Sequence, residues 1–316
     1  MLRARCCGSP TRVEWQRRRA GDCPPSLPDV PRLSPNDISV KTNGGNWLID
    51  PVDFTIAASG GNIDGATLSS NLGGGDISIL SSSGTTGTAG DVNVNDVVSW
   101  SSHKLTLNAQ NNININANLT ATSTASLALE YGQGAVASGN TSNVITNSAA
   151  VNLPAGTTNF TTKQGSDGAL KNYTVITELG SAGSTTTTDL QGMNGNLAAN
   201  YALGGNIDAT ATSTWNTNKG FVPIGDASPY FAGTFDGLGH TISNLTINNP
   251  TVSDWGLFAR TTAAAVIRNV GLIGGSVAGA GGGTGGLVGW NYAKVSNSYA
   301  TGDVYQARCT RAACWG

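Results

Sequence analysis

Four aspartates in the second half of the chain are the residues most able to do chemistry. They are Asp208, Asp226, Asp236 and Asp254. Polysaccharide cleavage needs two carboxylates roughly 5–10 Å apart, one as acid and one as base or nucleophile. Asp236 and Asp254 stand in turn-like contexts, where an aspartate commonly bonds its own backbone. We therefore expect structural carboxylates and no enzyme activity, and a polysaccharide-active β-helix enzyme is the less favoured alternative.

Other chemistry finds little support in the sequence. His103 and His240 are the only histidines and lie on different segments, so they do not form a metal-binding pair at helical spacing. Residues 281–286 match a Gly-x-Gly-x-x-Gly pattern, but the surrounding run is simply glycine-rich. The nearest approach to a calcium-binding nonapeptide, residues 73–76, does not recur. We expect no cofactor and no metal, and a melting temperature that chelators leave unchanged.

The composition indicates ordered β structure. Only 11% of residues are charged, glycine reaches 43 residues, and Val, Ile and Thr are plentiful. Disordered chains are usually highly charged and poor in such residues. Residues 33–305 hold eight basic and sixteen acidic residues, a formal charge of −8. We expect no nucleic acid as a partner.

The two ends differ from the body. Residues 1–32 hold seven of the seventeen basic residues and three cysteines, and residues 306–316 hold two more cysteines. Three interpretations are open: a nucleic-acid-binding arm, a cysteine-rich staple, or sequence foreign to the gene. We favour the third, because the cysteines lack paired C-x-x-C spacing and the arginines lack periodicity. We expect both ends to lie outside the fold and to be trimmed by proteases. Neither an export signal nor a run of eighteen apolar residues is recognisable.

Short alternating segments predict the strands of the body. Residues 75–79, 90–94 and 111–115 each place a turn pair before an apolar-polar-apolar triplet. We divide the body into β-helical rungs over residues 33–169 and β-helical repeats over residues 170–305. One short helix is expected near residues 189–203, where Leu190, Met193, Leu197 and Tyr201 follow 3–4 spacing behind a possible Asp189 N-cap.

An apolar-x-Asn-x-x-apolar phrase occurs three times in the second half. It covers residues 242–247, 267–272 and 295–300, with Asn244, Asn269 and Asn297 spaced 25 and 28 residues apart. A recurring phrase at this period is typical of a solenoid, in which each unit buries its core against its neighbours. Asparagine tolerates the left-handed conformation of a tight corner, so we expect stacked corners with an asparagine ladder. The fold predicted from the residues is an all-β solenoid.

The same region resembles a known family. Residues 285–289 (GGLVG) and 296–304 (SNSYATGDV) resemble the GLUG motif, and Gly286 and Gly289 are its repeat positions. Residues 231–245 resemble the segment that often leads into it. With residues 46–51, the body is similar to the interior of a large filamentous-haemagglutinin-like exoprotein. The resemblance implies a right-handed parallel β-helix, two-partner secretion through an outer-membrane transporter, and a secreted or surface location on a Gram-negative bacterium.

We therefore expect a segment of an adhesin that contacts host glycans or proteins through an extended solenoid face. The alternative is a spacer that binds nothing itself. Exposed aromatic residues on one face would favour glycan contact over a spacer, and the candidates are Trp215, Tyr230, Trp255, Trp290 and Tyr292, together with Phe221. Because the phrase at residues 295–300 is still in register near residue 306, we also expect end-to-end self-association.

Overall fold

The computed structural model describes residues 47–49, 53–81, 89–226, 228–248, 254–279 and 283–306. The predictions for residues 1–32, and for residues 307–316 of the tail expected at 306–316, fall outside this part of the chain, whereas Gln306 is the last residue of a strand. The strands are β1 Trp47–Ile49, β2 Phe54–Ile56, β3 Ile77–Leu80, β4 Val92–Val94, β5 Val98–Trp100, β6 Lys104–Asn108, β7 Ile113–Ile115, β8 Leu119–Ala121, β9 Ser126–Tyr131, β10 Val144–Thr146, β11 Val151–Asn152, β12 Phe160–Gln164, β13 Lys171–Asn172, β14 Thr174–Ile176, β15 Tyr201–Leu203, β16 Ile207–Asp208, β17 Thr234–Asp236, β18 Thr241–Ser243, β19 Thr246–Asn248, β20 Phe258–Arg260, β21 Val266–Arg268, β22 Gly271–Ile273, β23 Ser276–Gly279, β24 Val288–Trp290, β25 Lys294–Ser296, β26 Tyr299–Ala300 and β27 Asp303–Gln306.

These strands stack into a parallel β-solenoid of about seven turns, which confirms the predicted fold class. The longest stack runs β1-β3-β6-β9-β12, closed by β13, which pairs antiparallel with β12. A second stack runs β14-β15-β17-β21-β25, and beside it lie β16-β18-β22-β26, β19-β23-β27 and β20-β24. Neighbouring parallel strands within a stack come from successive turns of the chain.

Alternation along the strands builds the core. In β3, Ile77 and Ile79 are buried and Ser78 is less so, and Ile77 stands in register with Leu105 of β6. Leu105 is in turn in register with Leu127 of β9. Because successive side chains point to opposite faces of a strand, one set of apolar residues fills the interior of every turn. The segments predicted as strands at residues 75–79, 90–94 and 111–115 are β3, β4 and β7.

The buried apolar residues form two clusters. The first spans Phe54 to Val175 with Ala202 and Leu238, and the second spans Ile176 to Val277. Strands β1–β13 form a first group of turns and β14–β27 a second. Backbone hydrogen bonds join the two groups, because the Val151 amide donates to the Leu238 carbonyl and the Leu153 amide to the Gly204 carbonyl. The ladder of backbone bonds therefore continues from the first group of turns onto the second.

The helical segments only partly follow expectation. Near residues 189–203 the structure has a 3₁₀ helix, Gln191–Gly195, that buries Leu190 and Met193. Asp189 accepts a bond from the Gly192 amide at 2.7 Å, as a capping residue does. Glycines and asparagines in this segment favour a short turn over a longer helix. Another 3₁₀ helix is Thr210–Thr214, followed by α2, Trp215–Asn218, which contains left-handed residues.

The expectation of at most one short helix, near residues 189–203, is wrong in its placement. The longest helix described is α1, Gly65–Leu72, which lies between β2 and β3. Its N-cap is Asp64, whose side chain accepts from the Thr67 amide, and it buries Leu68 and Leu72 four residues apart. In the part of the chain described, no helix is both long and apolar enough to cross a bilayer.

At the corners between strands, the three asparagines have the predicted left-handed conformation but do not form the single ladder that was predicted. Asn244, Asn269 and Asn297 all have positive φ, at 59°, 56° and 47°. Asn297 donates to the Asn269 side chain at 3.3 Å across 28 residues, and these two stack with each other. Asn244 occupies a different corner, where it stacks against Gly274 and donates to Thr210 Oγ1 at 3.0 Å. The phrase therefore occurs at two successive corners of the solenoid. The 25-residue spacing between Asn244 and Asn269 is not the length of one turn.

The two glycines of the GLUG stretch are packed closely. A Cβ at Gly289 would lie 2.6 Å from the Asp254 carbonyl carbon, and a Cβ at Gly286 would lie 2.9 Å from the Ala300 Cβ. Gly289 stands in β24, which pairs with β20. Both positions exclude a side chain because a neighbouring turn occupies the space.

Candidate functional site

The five candidate aromatics do not share one environment. Trp290 and Tyr292 are 46% and 65% exposed, as expected of contact residues. Trp255 is only 6% exposed and belongs to the second core cluster, so its assignment to a glycan-contact face is wrong. Its backbone pairs with residue 284 of the next turn, which carries the side chain into the interior. Trp215 is half-buried and stacks on Phe221 at 6.5 Å, so both residues support packing.

Tyr230 and Trp290 lie close to Arg260, and Tyr292 lies beside Trp290. The Arg260 guanidinium lies 5.3 Å from the Tyr230 ring centre and 5.8 Å from that of Trp290. The Trp290 and Tyr292 rings are 6.5 Å apart. Strand register explains the contact, because Arg260 of β20 stands opposite Trp290 of β24. We call these four residues the aromatic–arginine surface.

Hydrogen bonds fix the arginine at the centre of this surface. Arg260 Nε donates to Asp254 Oδ2 at 2.8 Å, Nη2 bonds the same oxygen, and Nη1 donates to Tyr230 Oη at 2.9 Å. Asp254 also accepts from the Gly283 amide at 3.2 Å, which ties the carboxylate to the next turn. The bonds to Asp254 and Tyr230 raise the pKa of Arg260, so the guanidinium stays charged. The cation is held in place without being buried, since 38% of its side chain is exposed.

This arrangement suits a flat, hydroxyl-rich ligand. Aromatic rings offer large apolar faces, while the tyrosine hydroxyl and the guanidinium supply polar contacts at the edges. Arg260 was not among the residues expected to form the surface. The sequence did point to Arg260, because Arg260 and Arg268 are the only arginines between residues 33 and 305.

The four candidate carboxylates do different things. Asp236 is 1% exposed and accepts from Arg268 Nε at 2.6 Å, and Asp254 pairs with Arg260. Asp208 is bonded by the hydroxyl and amide of Thr210. Asp226 borders two surface pockets, one of them beside Trp255. Asp236 and Asp254 are thus each neutralised by a different arginine, which suits a structural role.

The histidines are also separate. His103 Nδ1 lies 2.7 Å from the Leu72 carbonyl at the end of α1. His240 Nε2 lies 3.0 Å from the Val151 carbonyl, and burial lowers the pKa of His240. Within the described ranges, no group of three or more His, Cys, Asp or Glu side chains could hold a metal ion.

The fold defines a class, the parallel β-solenoid repeat proteins, and sequence comparison adds two similarities. The model of the GLUG motif matches residues 280–305, which contain β24 to β26 and most of β27. Halomucin of Haloquadratum walsbyi is 42% identical over 122 residues, which is 37% of this chain and 1% of halomucin. The chain therefore spans about one hundredth of that relative's length. No solved structure matches.

Proposed function

We propose that this chain is a segment of a large surface or secreted repeat protein that contacts carbohydrate through the aromatic–arginine surface. The observation that carries the proposal is the contact of Tyr230 and Trp290 with a fixed, partly exposed Arg260, with Tyr292 beside Trp290. Exposed aromatic side chains grouped by the fold are typical of binding surfaces. A spacer has no need of a cation held in place between aromatic rings.

The similarities support the wider setting. A GLUG motif in a β-solenoid and a partial match to a protein named halomucin fit a large repeat-containing surface protein. Adhesion to host glycans or proteins, two-partner secretion through an outer-membrane transporter, and a Gram-negative surface location stay predictions from the family resemblance. Absence of enzyme activity is likewise a proposal, supported by the separate pairing of Asp236 and Asp254.

A glycan-binding measurement with matched variants tests the proposal. The wild-type chain and Trp290→Ala/Tyr292→Ala are applied to a printed panel of neutral and acidic oligosaccharides. Binding to the best ligand should fall about tenfold or more in the double variant, as at aromatic hot spots. Tyr305→Ala is the control, because Tyr305 is 58% exposed and is a residue of β27 outside the surface.

Two results contradict the proposal. Equal losses in Tyr305→Ala and in the double variant would show that the surface has no special role. A wild-type chain that binds no oligosaccharide on the panel would favour the spacer.

A further inference from the structure

A second candidate site, which is concave, lies where the two groups of turns meet. It is a cleft of about 300 Å³, at the lower end of the range for small-ligand pockets. One wall comes from β9, β12 and β13, and the other from β17, β21 and β25. The residues that matter for its chemistry are Tyr131, Thr162, Lys171, Thr234, Arg268 and Lys294.

The cleft gathers positive charge in an acidic body. Residues 33–305 hold eight basic side chains, and Lys171, Arg268 and Lys294 all line this one cleft. Arg268 is paired with Asp236. In the ranges that the structure describes, neither lysine forms an ion pair with a carboxylate, and Lys171 Nζ donates only to Thr234 Oγ1 at 3.3 Å. The cleft therefore carries a net positive charge that the protein does not neutralise.

The fold sets the positions of these cations. Thr234, Val266 and Lys294 stand in register on three successive strands of one stack. Lys171 stands opposite Thr162 on the antiparallel pair β12–β13. Three cations from three different strands, β13, β21 and β25, are thus directed to one opening.

Arg268 is held rigidly at the inner end of the cleft. It is 8% exposed, Nε donates to Asp236 at 2.6 Å, and Nη1 donates to Tyr131 Oη at 3.2 Å. Its guanidinium also lies 5.9 Å from the Tyr131 ring centre. Nη2 donates to no partner among the described residues. A fixed guanidinium with a donor to spare is a common means of binding a carboxylate.

The remaining lining is rich in hydroxyl groups. The hydroxyls of Thr162 and Tyr173 are 3.2 Å apart, and burial raises the pKa of Tyr173 to about 12, so its phenol stays protonated. Burial and then the nearby Arg268 lower the pKa of Lys171, as expected where two cations share a confined space. An anion in the cleft would relieve that repulsion.

We propose that this cleft binds an acidic monosaccharide unit, with the carboxylate of a hexuronate facing Lys171, Arg268 and Lys294. The volume suits a single sugar ring, and the hydroxyl and amide groups of the lining suit its hydroxyls. This site is separate from the aromatic–arginine surface and does not depend on the function proposed for it.

The test compares variants that change charge equally. Sodium glucuronate is titrated by calorimetry into the wild-type chain, Lys171→Gln/Lys294→Gln and the control Lys104→Gln/Lys219→Gln. All four lysines have exposed side chains, so both double variants should fold. Glucuronate affinity should fall about tenfold or more in the first variant and stay unchanged in the control, because two charge-assisted contacts are lost. Trp290→Ala/Tyr292→Ala should bind glucuronate normally.

Three outcomes would overturn the proposal. They are the absence of saturable glucuronate binding, an equal loss of glucuronate affinity in both double lysine variants, and glucose binding as tight as glucuronate binding. Sodium sulfate or acetate binding as tightly as glucuronate would show a simple anion site without sugar recognition. If only Trp290→Ala/Tyr292→Ala lost glucuronate binding, the ligand would belong to the aromatic–arginine surface instead.

Discussion

Arg260 and Arg268 lie on the same turn, and each forms an ion pair with an aspartate. The two ion pairs differ in how far they are buried. The Arg268 side chain is 9% exposed and that of its partner Asp236 is 1% exposed, whereas 38% of Arg260 is open to solvent. Burial by itself would lower the pKa of Arg268, but Asp236 and Tyr131 outweigh it and raise the pKa. The buried pair also links the two groups of turns, since Arg268 and Tyr131 are 137 residues apart.

This contrast makes a prediction about stability. Arg268→Met should lower the free energy of unfolding by about 3–5 kcal/mol, because Asp236 would be left charged and buried. Arg260→Met should cost much less, because solvent screens that pair. Urea denaturation of both variants checks this. Equal losses for the two variants would contradict the assigned difference in burial.

The sequence carried part of this information at the residue scale. The positive φ of three asparagines was predictable, because few residue types adopt it readily. The burial of Trp255 was not, because its burial depends on which residue of the neighbouring turn it pairs with. Proximity of Tyr131, Lys171 and Arg268 depends on how one group of turns docks on the other, which no local pattern records.

At the scale of elements, the corners between strands set the register of the solenoid. The corner between β22 and β23 contains Gly274 and Gly275, with φ of +60° and +74°. A Cβ at Gly275 would lie 2.2 Å from the Leu245 carbonyl oxygen of the preceding turn. The close stacking of backbone at this corner therefore requires glycine.

Gly275→Ala should destabilise the protein by about 1–3 kcal/mol, since it combines an unfavourable φ with a backbone clash. Gly205→Ala is the matched control, because a Cβ there meets nothing within 4 Å and its φ is not positive. The control should change stability by no more than about 0.5 kcal/mol. Thermal unfolding followed by circular dichroism measures both. An unchanged melting temperature for Gly275→Ala would mean that this corner is not packed as described.

The helix α1 offers a second prediction at this scale. A hydrogen bond from the Thr67 amide lowers the pKa of Asp64 below its usual 3.8. The cap is therefore fully stabilising above pH 3.8 and is lost as the pH falls through the lowered value. Asp64→Ala should cost about 1 kcal/mol at pH 7.

A comparison with Asp64→Asn isolates the effect of charge. Asparagine also caps helices well but does not titrate, so its variant should lose less stability than Asp64→Ala at pH 7. The gap between wild type and Asp64→Ala should narrow below pH 3.8 in urea titrations at several pH values. A gap that stays constant down to pH 2 would contradict the cap.

The positions of the strands were the property most easily predicted from the sequence, because each short strand keeps its own period-2 pattern. The turn to which each strand belongs was harder to predict. The phrase around Asn244 and the phrase around Asn269 look alike, yet they occupy successive corners. The number of residues per turn varies with loop length, so sequence spacing alone does not give the stacking. The helix α1 was missed because its eight residues hold only two leucines.

At the scale of the whole molecule, the last turn that the structure describes has an apolar end face. Val295 and Val304 are 39% and 46% exposed, although their register partners Ile267 and Val277 are buried. These valines occupy interior positions that a further turn would cover. Among the described strands, none pairs with the outer edges of β25, β26 and β27. Strand edges beside an apolar face favour association with another copy.

We expect concentration-dependent self-association of this chain through that face. Val304→Lys should reduce it, because a charge at an interior position would have to be buried on contact with a second copy. Val97→Lys is the control, since Val97 is also exposed, at 53%, but lies between β4 and β5. Light scattering over a concentration series compares the three proteins. Association that persists unchanged in Val304→Lys, or that falls equally in Val97→Lys, would place the contact elsewhere, and a wild-type chain that stays monomeric at high concentration would contradict an adhesive end face.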